Sequence, residues 1–451
     1  MAKLDNLLLI LEKNDLEMIS SLIPTKMMGG NLRHIQFLRD RIERPAKNYQ
    51  PIDITDRLIM SDLCKMIEKY IVMQDVLNEK NESDMVLLKY YRTHENEKLF
   101  SDLHNKCEKQ IKTTKFKNSK YYDYCRDILF EKWQFDQLTN RFSNADINEI
   151  ILMSTIAEIS RNLEQLVTLV PQSVIISKKA DTAYFDAIEP MIIEKKLLDF
   201  PCVAIYYYAF KMLEEPDVIS WFVEFEKQLS LYEDHFDEEE LRTIYFQAIN
   251  YSIRKHNSGK TEFSKKLLDY YKIGLEKGFF LINGYLSKNT YRNVCTIAIR
   301  LGLTDQAESI SENFRHLLRT EEEESAYHFN MASIRYDQHQ FEEALTSLRY
   351  VNFDDHLSNL FAKTLMLKIY FESKEYRLLD SHLDAMQVYL TRKKLTGSYK
   401  SNYSNVIKYA KKLTKLNPYD KSGSMRLKES IKNEKYLPDK NWFLHQIETG
   451  F

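Results

Sequence analysis

Glycine is nearly missing from this 451-residue chain. It has 10, where average usage of about 7% would supply roughly three times as many. Tight hairpins and phosphate-cradling loops draw on glycine for positive φ, so the scarcity argues for helices. Cysteine is sparse and scattered: Cys64, Cys107, Cys125, Cys202 and Cys295 are odd in number and form no CxxC pair. That spacing argues against a disulfide framework or structural zinc and fits a reducing compartment. Long apolar runs are also lacking. The longest, Cys202 to Phe210, is nine residues, against the roughly 20 needed to cross a bilayer. The first fifteen residues break their apolar pattern with Lys3, Asp5, Glu12, Lys13 and Asp15 and offer no small-residue cleavage site. They read as a helix of the mature protein rather than an export signal, and a cytoplasmic protein is expected.

What is present is helical periodicity. A hydrophobic fraction of 44% with 29% charged residues describes a soluble globular chain rather than a disordered one. Asp53 and Thr55 offer caps to a segment from Leu58 to Leu77, where Leu58, Leu63, Met66, Ile67, Tyr70 and Val72 follow a helical stripe. Further helices are predicted over about 84–92, 95–112 and 119–138, with an irregular connection over 28–51. Asn144 and Asp146 cap a long helix to about Val170, which Pro171 is expected to end. Three regions follow: a helical N-terminal region over 1–143, with a boundary near Ser143; a connecting helix and loop over 144–200; and a regular helical array over 201–451. Within the array, helices are predicted at about 201–213, 217–231, 239–255 and 261–276.

The stretch from Ser325 to Met386 writes one hairpin pattern twice, 35 residues apart. Ala332, Phe341, Ala344, Leu348 and Val351 are answered by Leu367, Tyr376, Leu379, Leu383 and Met386. A unit that cannot bury its own apolar face must stack on a neighbour, so a fixed period predicts an array of helix pairs. His328, Met331, Ala332, Phe341 and Ala344 fall in the order large, Leu-like, small, aromatic, small. This resembles the tetratricopeptide repeat (TPR), a 34-residue helix-turn-helix unit. His328 and His339 stand where that family has Trp and its turn Gly. The next unit keeps Leu367, Tyr370, Tyr376 and Leu383 but places Leu379 where small Ala is usual. Upstream, Gly302 and Ala307 match and Thr304 does not; downstream, Tyr403, Val406, Ala410, Leu413, Asn417 and Pro418 resemble the end of another unit. The resemblance covers about 285–420 well and 200–285 faintly. It implies an all-α, right-handed α-solenoid of TPR-like hairpins behind a helical N-terminal region.

The resemblance also implies a concave face lined by the first helix of each pair. Its exposed positions correspond to Phe329, Ser333, Tyr336 and Asp337, then to Phe361, Thr364, Lys368 and Phe371. Aromatics flanked by polar groups suit a peptide or partner helix laid in a groove, so a non-enzymatic protein–protein interaction scaffold is expected. The family's carboxylate-gripping Lys and Asn are not matched, because Phe329 and Ser333 stand at those places. The alternative is a nucleic-acid-associated protein. Residues 391–440 hold 14 Lys or Arg and four acids, with Lys400, Lys408, Lys411, Lys412 and Lys415 as the candidate patch. A second patch runs through Lys106, Lys109, Lys112, Lys115, Lys117 and Lys120 beside Tyr121, Tyr122, Tyr124 and Trp133, and cations beside aromatics suit phosphates and bases. Alternatively, the acidic runs Glu233 to Glu240 and Glu321 to Glu324 are placed to face the basic C-terminal end, either within the chain or across a dimer.

Catalytic signatures fail. His256 to Thr261 ends like a phosphate loop, but Arg254 stands where that motif needs Gly, and the stretch follows a helix rather than a strand. Asp354-Asp355-His356 lacks further ligands at metal-site spacing, and His94-Glu95-Asn96-Glu97 lacks a second His. No catalytic residue, cofactor or metal is expected. After Pro438, Asp439 is read as a cap opening a short helix with Trp442, Phe443 and Ile447 on one face, and a terminal cap for the array is expected there.

Overall fold

The computed structural model describes residues 3–43, 54–139, 146–175, 180–351, 356–392, 399–417 and 419–450. Among these the chain is all-helical: 22 α-helices, three 3-10 turns and one two-stranded hairpin. It divides into two compact units. The first comprises Met1–Leu166, Lys179–Tyr207 and Asp234–Phe236, and the second Val167–Lys178, Tyr208–Glu233 and Asp237–Phe451. The expected boundary at Ser143 and the cap at Asn144 lie outside the described residues. The first unit continues past that point, so the segment over 144–200, expected as a connection, is largely folded into it.

The first unit contains α1 (Lys3–Ile10), α2 (Lys13–Leu22), α3 (Leu32–Glu43), α4 (Ile54–Asn78), α5 (Lys80–Thr93), α6 (Glu97–Thr113), α7 (Ser119–Thr139) and α9 (Ala183–Glu194). The division crosses α8 (Ile147–Ile175) and α10 (Pro201–Glu214). Helices α1, α2 and α3 all pack on α4, where Leu63, Ile67 and Tyr70 of the expected stripe meet Leu4, Ile19 and Leu38. Leu58 and Val72, expected on that stripe, are exposed instead, and Thr55 sits inside the first turn of α4 rather than before it. A second cluster joins Leu88, Phe100, Cys107, Ile128 and Phe135 of α5 to α7. Arg41 reaches back to Asp5 through Nε and Nη2 at 2.8 and 3.0 Å. This two-pronged guanidinium–carboxylate pair fixes α3 against α1. Asp146 caps α8 by accepting from the Asn148 N–H at 2.9 Å. Pro171 does not end that helix, which continues to Ile175; the proline removes one donor without halting the turn.

The second unit runs through α11 (Ile219–Tyr232), α12 (Glu238–Asn257), α13 (Glu262–Glu276), a hairpin of β1 (Leu281–Ile282) and β2 (Tyr285–Leu286), α14 (Lys288–Arg300) and α15 (Thr304–Phe314). It continues through α16 (Thr320–Asp337), α17 (Phe341–Leu348), α18 (His356–Glu372), α19 (Tyr376–Arg392), α20 (Tyr399–Thr414), α21 (Lys421–Asn433) and α22 (Lys440–Thr449). Helices pair as α12 with α13, α14 with α15, α16 with α17, and α18 with α19. First helices also meet one another, α14 on α16, α16 on α18 and α18 on α20, and each second helix touches the next first helix.

The four pairs turn in the same way. Gly259, Gly302, His339 and Lys374 each adopt positive φ, at 88, 69, 58 and 61°. The following N–H reaches five residues back: Lys260 to the Lys255 carbonyl, Leu303 to Ala298, Gln340 to Arg335 and Glu375 to Tyr370, at 2.8 to 3.1 Å. This is a Schellman closure, which satisfies carbonyls orphaned at a helix end. Ala332 and Ala344 are fully buried among Leu348, Val351, Ala362 and Ile369, and their small side chains permit close approach of the helices. Leu367, Leu379, Leu383 and Met386 are also fully buried, while Tyr376 is half exposed.

Asp439 corrects the expected cap. It stands before α22 with φ 53° and its side chain makes no capping bond; its carboxylate instead meets Lys368 Nζ of α18 at 2.7 Å. Phe443 is buried, with Trp442 and Ile447 packed on the same core, so α22 covers that end of the cluster. Among the described residues no helix is long and apolar enough to cross a membrane.

Candidate functional site

A cavity of about 470 Å³ opens among α12, α13, α14, α16 and α18. From α16 it takes Phe329, Ser333, Tyr336 and Asp337, and from α18 Phe361, Thr364 and Lys368. These two sets occupy consecutive turns, so helical spacing alone puts each on one face. The structure brings these seven expected positions together. Phe371, the eighth, is not among them. It is 3% exposed because the Trp442 indole of α22 covers its ring, the centroids 5.4 Å apart.

The remaining wall was not anticipated. Helix α14 contributes Arg292, Asn293, Thr296 and Arg300, and α12 contributes His256 and Asn257. The signal was available in part: Arg292, Thr296 and Arg300 recur every four residues opposite the buried Tyr291, Val294, Cys295 and Ala298.

The polar groups of this cavity are largely organised. Arg292 lies 3.9 Å from the centre of the Phe361 ring, a cation–π contact that holds the guanidinium against an apolar floor. Arg300 Nη1 lies 2.8 Å from His256 Nε2, and His256 Nδ1 lies 2.7 Å from Ser264 Oγ. Burial, followed by the charge of Arg300, pushes the His256 pKa down. The neutral ring therefore accepts from Arg300 at Nε2 and donates from Nδ1. Burial alone would raise the Asp439 pKa, but the Lys368 ammonium, assisted by Arg300, overrides it and holds the group below the usual carboxylate range. Asp337 accepts from the Thr304 hydroxyl at 3.0 Å. The hydroxyls of Thr296, Ser333 and Thr364 bond back to carbonyls of their own helices, so they line the space without projecting donors into it.

Glu372 braces the site from behind. Its Oε1 accepts from the Tyr336 hydroxyl, from Trp442 Nε1 at 2.6 Å and from Gln446 Nε2 at 3.3 Å. Burial and then the Glu372 charge drive the Tyr336 pKa far up, so the phenol remains a donor.

The basic patches look different in three dimensions. Lys408 pairs with Glu434 at 3.7 Å and Lys411 with Asp384 at 2.7 Å, while Lys412 lies over the buried Tyr409 ring. Lys400 and Lys415 are exposed; Lys393, Lys394 and Pro418 fall outside the described residues. In the first unit Lys106 pairs with Asp84 and Lys115 with Asp234. Tyr122 and Tyr124 are buried, so neither offers a ring face to a base. The acidic runs are partly paired, Glu322 with Lys288 and Glu323 with Arg315 in the second run, and Glu233 with Lys277 and Asp234 with Lys115 in the first.

Asp354 and Asp355 lie outside the described residues, and His356 meets the Tyr389 hydroxyl at 3.0 Å. Among the described residues no cluster of three or more His, Cys, Asp or Glu is placed to hold a metal. Comparison with protein-family models, curated proteins and solved structures finds no match to this chain.

Proposed function

We propose that this protein is a non-enzymatic interaction scaffold, a TPR-like α-solenoid that binds a peptide or partner helix on a surface made by the first helices of successive hairpins. The observation that carries this reading is the cavity shared by α12, α14, α16 and α18, where Phe329, Tyr336 and Phe361 stand among polar side chains. Rigid aromatics framed by hydrogen-bonding groups are the usual anchors of peptide recognition. The repeated turn at Gly259, Gly302, His339 and Lys374 supports the repeat architecture. The nucleic-acid alternative draws less support, since Tyr122 and Tyr124 are buried and several lysines are already paired.

Affinity capture from the native host, with nuclease treatment, tests the proposal. A protein retained by the wild type after nuclease and lost from Phe361→Ala is expected. Retention that vanishes with nuclease in both proteins would instead favour nucleic acid.

A further inference from the structure

We propose that α22 is the chain's own occupant of one end of the partner-binding surface, and that the partner taken there is an amphipathic helix of the same chemistry, with an acid three residues before a tryptophan. The inference rests on the scaffold reading and names the class of partner.

The covering of Phe371 carries it. Two of the positions expected to face a partner, Lys368 and Phe371, are met instead by residues at the start of the chain's last helix. The Trp442 indole stands edge-on to the Phe371 ring, the planes at 77°, which is a favoured aromatic arrangement. Its Nε1 donates to Glu372 Oε1 at 2.6 Å, and Gln446, one turn on, donates to the same oxygen at 3.3 Å. Asp439 pairs with Lys368 at 2.7 Å, and that ammonium lies 5.9 Å from the centre of the indole. Lys368, Phe371 and Glu372 share one face of α18 by helical spacing. An acid, an aromatic and an amide of one short helix therefore read a single face of another, which is how a partner helix is recognised in a groove.

The same helix has a second set of contacts. Phe443 is buried in the cluster that contains Leu427 and Ile431 of α21, so a competing helix needs an aromatic next to its tryptophan as well. Trp442 is only partly buried, and Lys368 and Asp439 keep some solvent exposure, so the contacts with α18 lie where a competitor reaches them. Asp439 enters α22 at φ 53° without a capping bond, a left-handed conformation that is costly for a residue with a Cβ. A helix from another chain need not enter through that turn. What favours α22 is its tether, which keeps its local concentration high.

A labelled synthetic peptide with the sequence of residues 437–451 tests this by anisotropy against the full-length chain. Weak binding to the wild type is expected, because the tethered helix competes. Trp442→Ala should bind the peptide at least roughly ten-fold more tightly and show faster amide exchange in its own α22. Adding Lys368→Ala should remove most of that gain, as should alanine in place of the peptide's own tryptophan. Asp439→Asn, which breaks the ion pair and keeps the aromatic packing, provides the same comparison if Trp442→Ala melts early.

Faster exchange in α22 without tighter peptide binding would overturn the inference. Unchanged exchange in both variants would overturn it too, since α22 would then be a fixed cap. A wild-type dimer that the peptide dissociates would overturn the commitment to a separate partner, because a second copy would be the occupant. In each of these cases a protein crosslinked from Ser333 leaves the scaffold reading standing; neither a crosslink nor peptide binding would count against both readings.

Discussion

Glu372 shows how one side chain organises the site from outside it. A single carboxylate oxygen serves a phenol, an indole and an amide from α16 and α22. Removing an acceptor leaves buried donors unpaired, at about 1–3 kcal/mol for each well-buried group. Glu372→Ala is therefore expected to loosen α22 selectively, read as faster amide exchange in that helix than in α12 or α14.

His382 gives a prediction in pH. Its Nε2 bonds the Lys363 carbonyl at 2.7 Å, and burial, only partly opposed by that bond, lowers its pKa. The unfolded chain then takes up this proton first as pH falls. The contribution of His382 to stability is thus whole above the unfolded value of about 6.5 and is lost as pH drops through the folded value. The melting temperature of the wild type should fall from pH 8 to pH 5.5 by more than that of His382→Gln; equal falls would count against it. The residues of α16 and α18 at the cavity were legible because turn spacing places 329, 333 and 336 on one face. The Lys368–Asp439 pair was not, since it joins positions 71 residues apart that no local pattern connects.

At the scale of elements, the recurring device is the left-handed turn residue. Gly302 adopts that conformation freely, whereas His339 and Lys374 carry a Cβ there, which costs roughly 1–2 kcal/mol less any local compensation. His339→Gly should raise the melting temperature slightly and His339→Val should lower it, since a β-branched residue is least suited to positive φ. Ala344→Trp should overpack the α16–α17 joint by about 1–3 kcal/mol, and an unchanged melt would contradict the packing described for that pair.

The hairpin of β1 and β2 was missed although Asn283-Gly284 is its signal, both residues having positive φ. Glycine scarcity had weighted the whole chain toward helix and hid one local exception. Pro171 misled in the opposite direction: a proline forbids one hydrogen bond, and a long helix with buried residues on its face persists through that loss.

For the whole molecule, the all-helical class was legible because composition and period agree at every level. The two-unit division was not. Apolar periodicity runs unbroken through α8 and α10, so the sequence carries no punctuation where compactness changes hands. Net charge is −2, and the C-terminal cations that pair with Glu434, Asp384 and Glu448 are less available to phosphates. Mobility shifts with single-stranded RNA should therefore be weak and vanish by about 0.15 M salt, where screening acts within roughly 8 Å.

The most direct test of the central claim is site-specific photo-crosslinking in the native host. A photoreactive residue is placed at Ser333, inside the cavity, or at Gln387, exposed on α19. A discrete protein adduct from Ser333, resistant to nuclease and absent from Gln387, is the predicted result. Adducts from Gln387 alone, or adducts at Ser333 that nuclease abolishes, would contradict it.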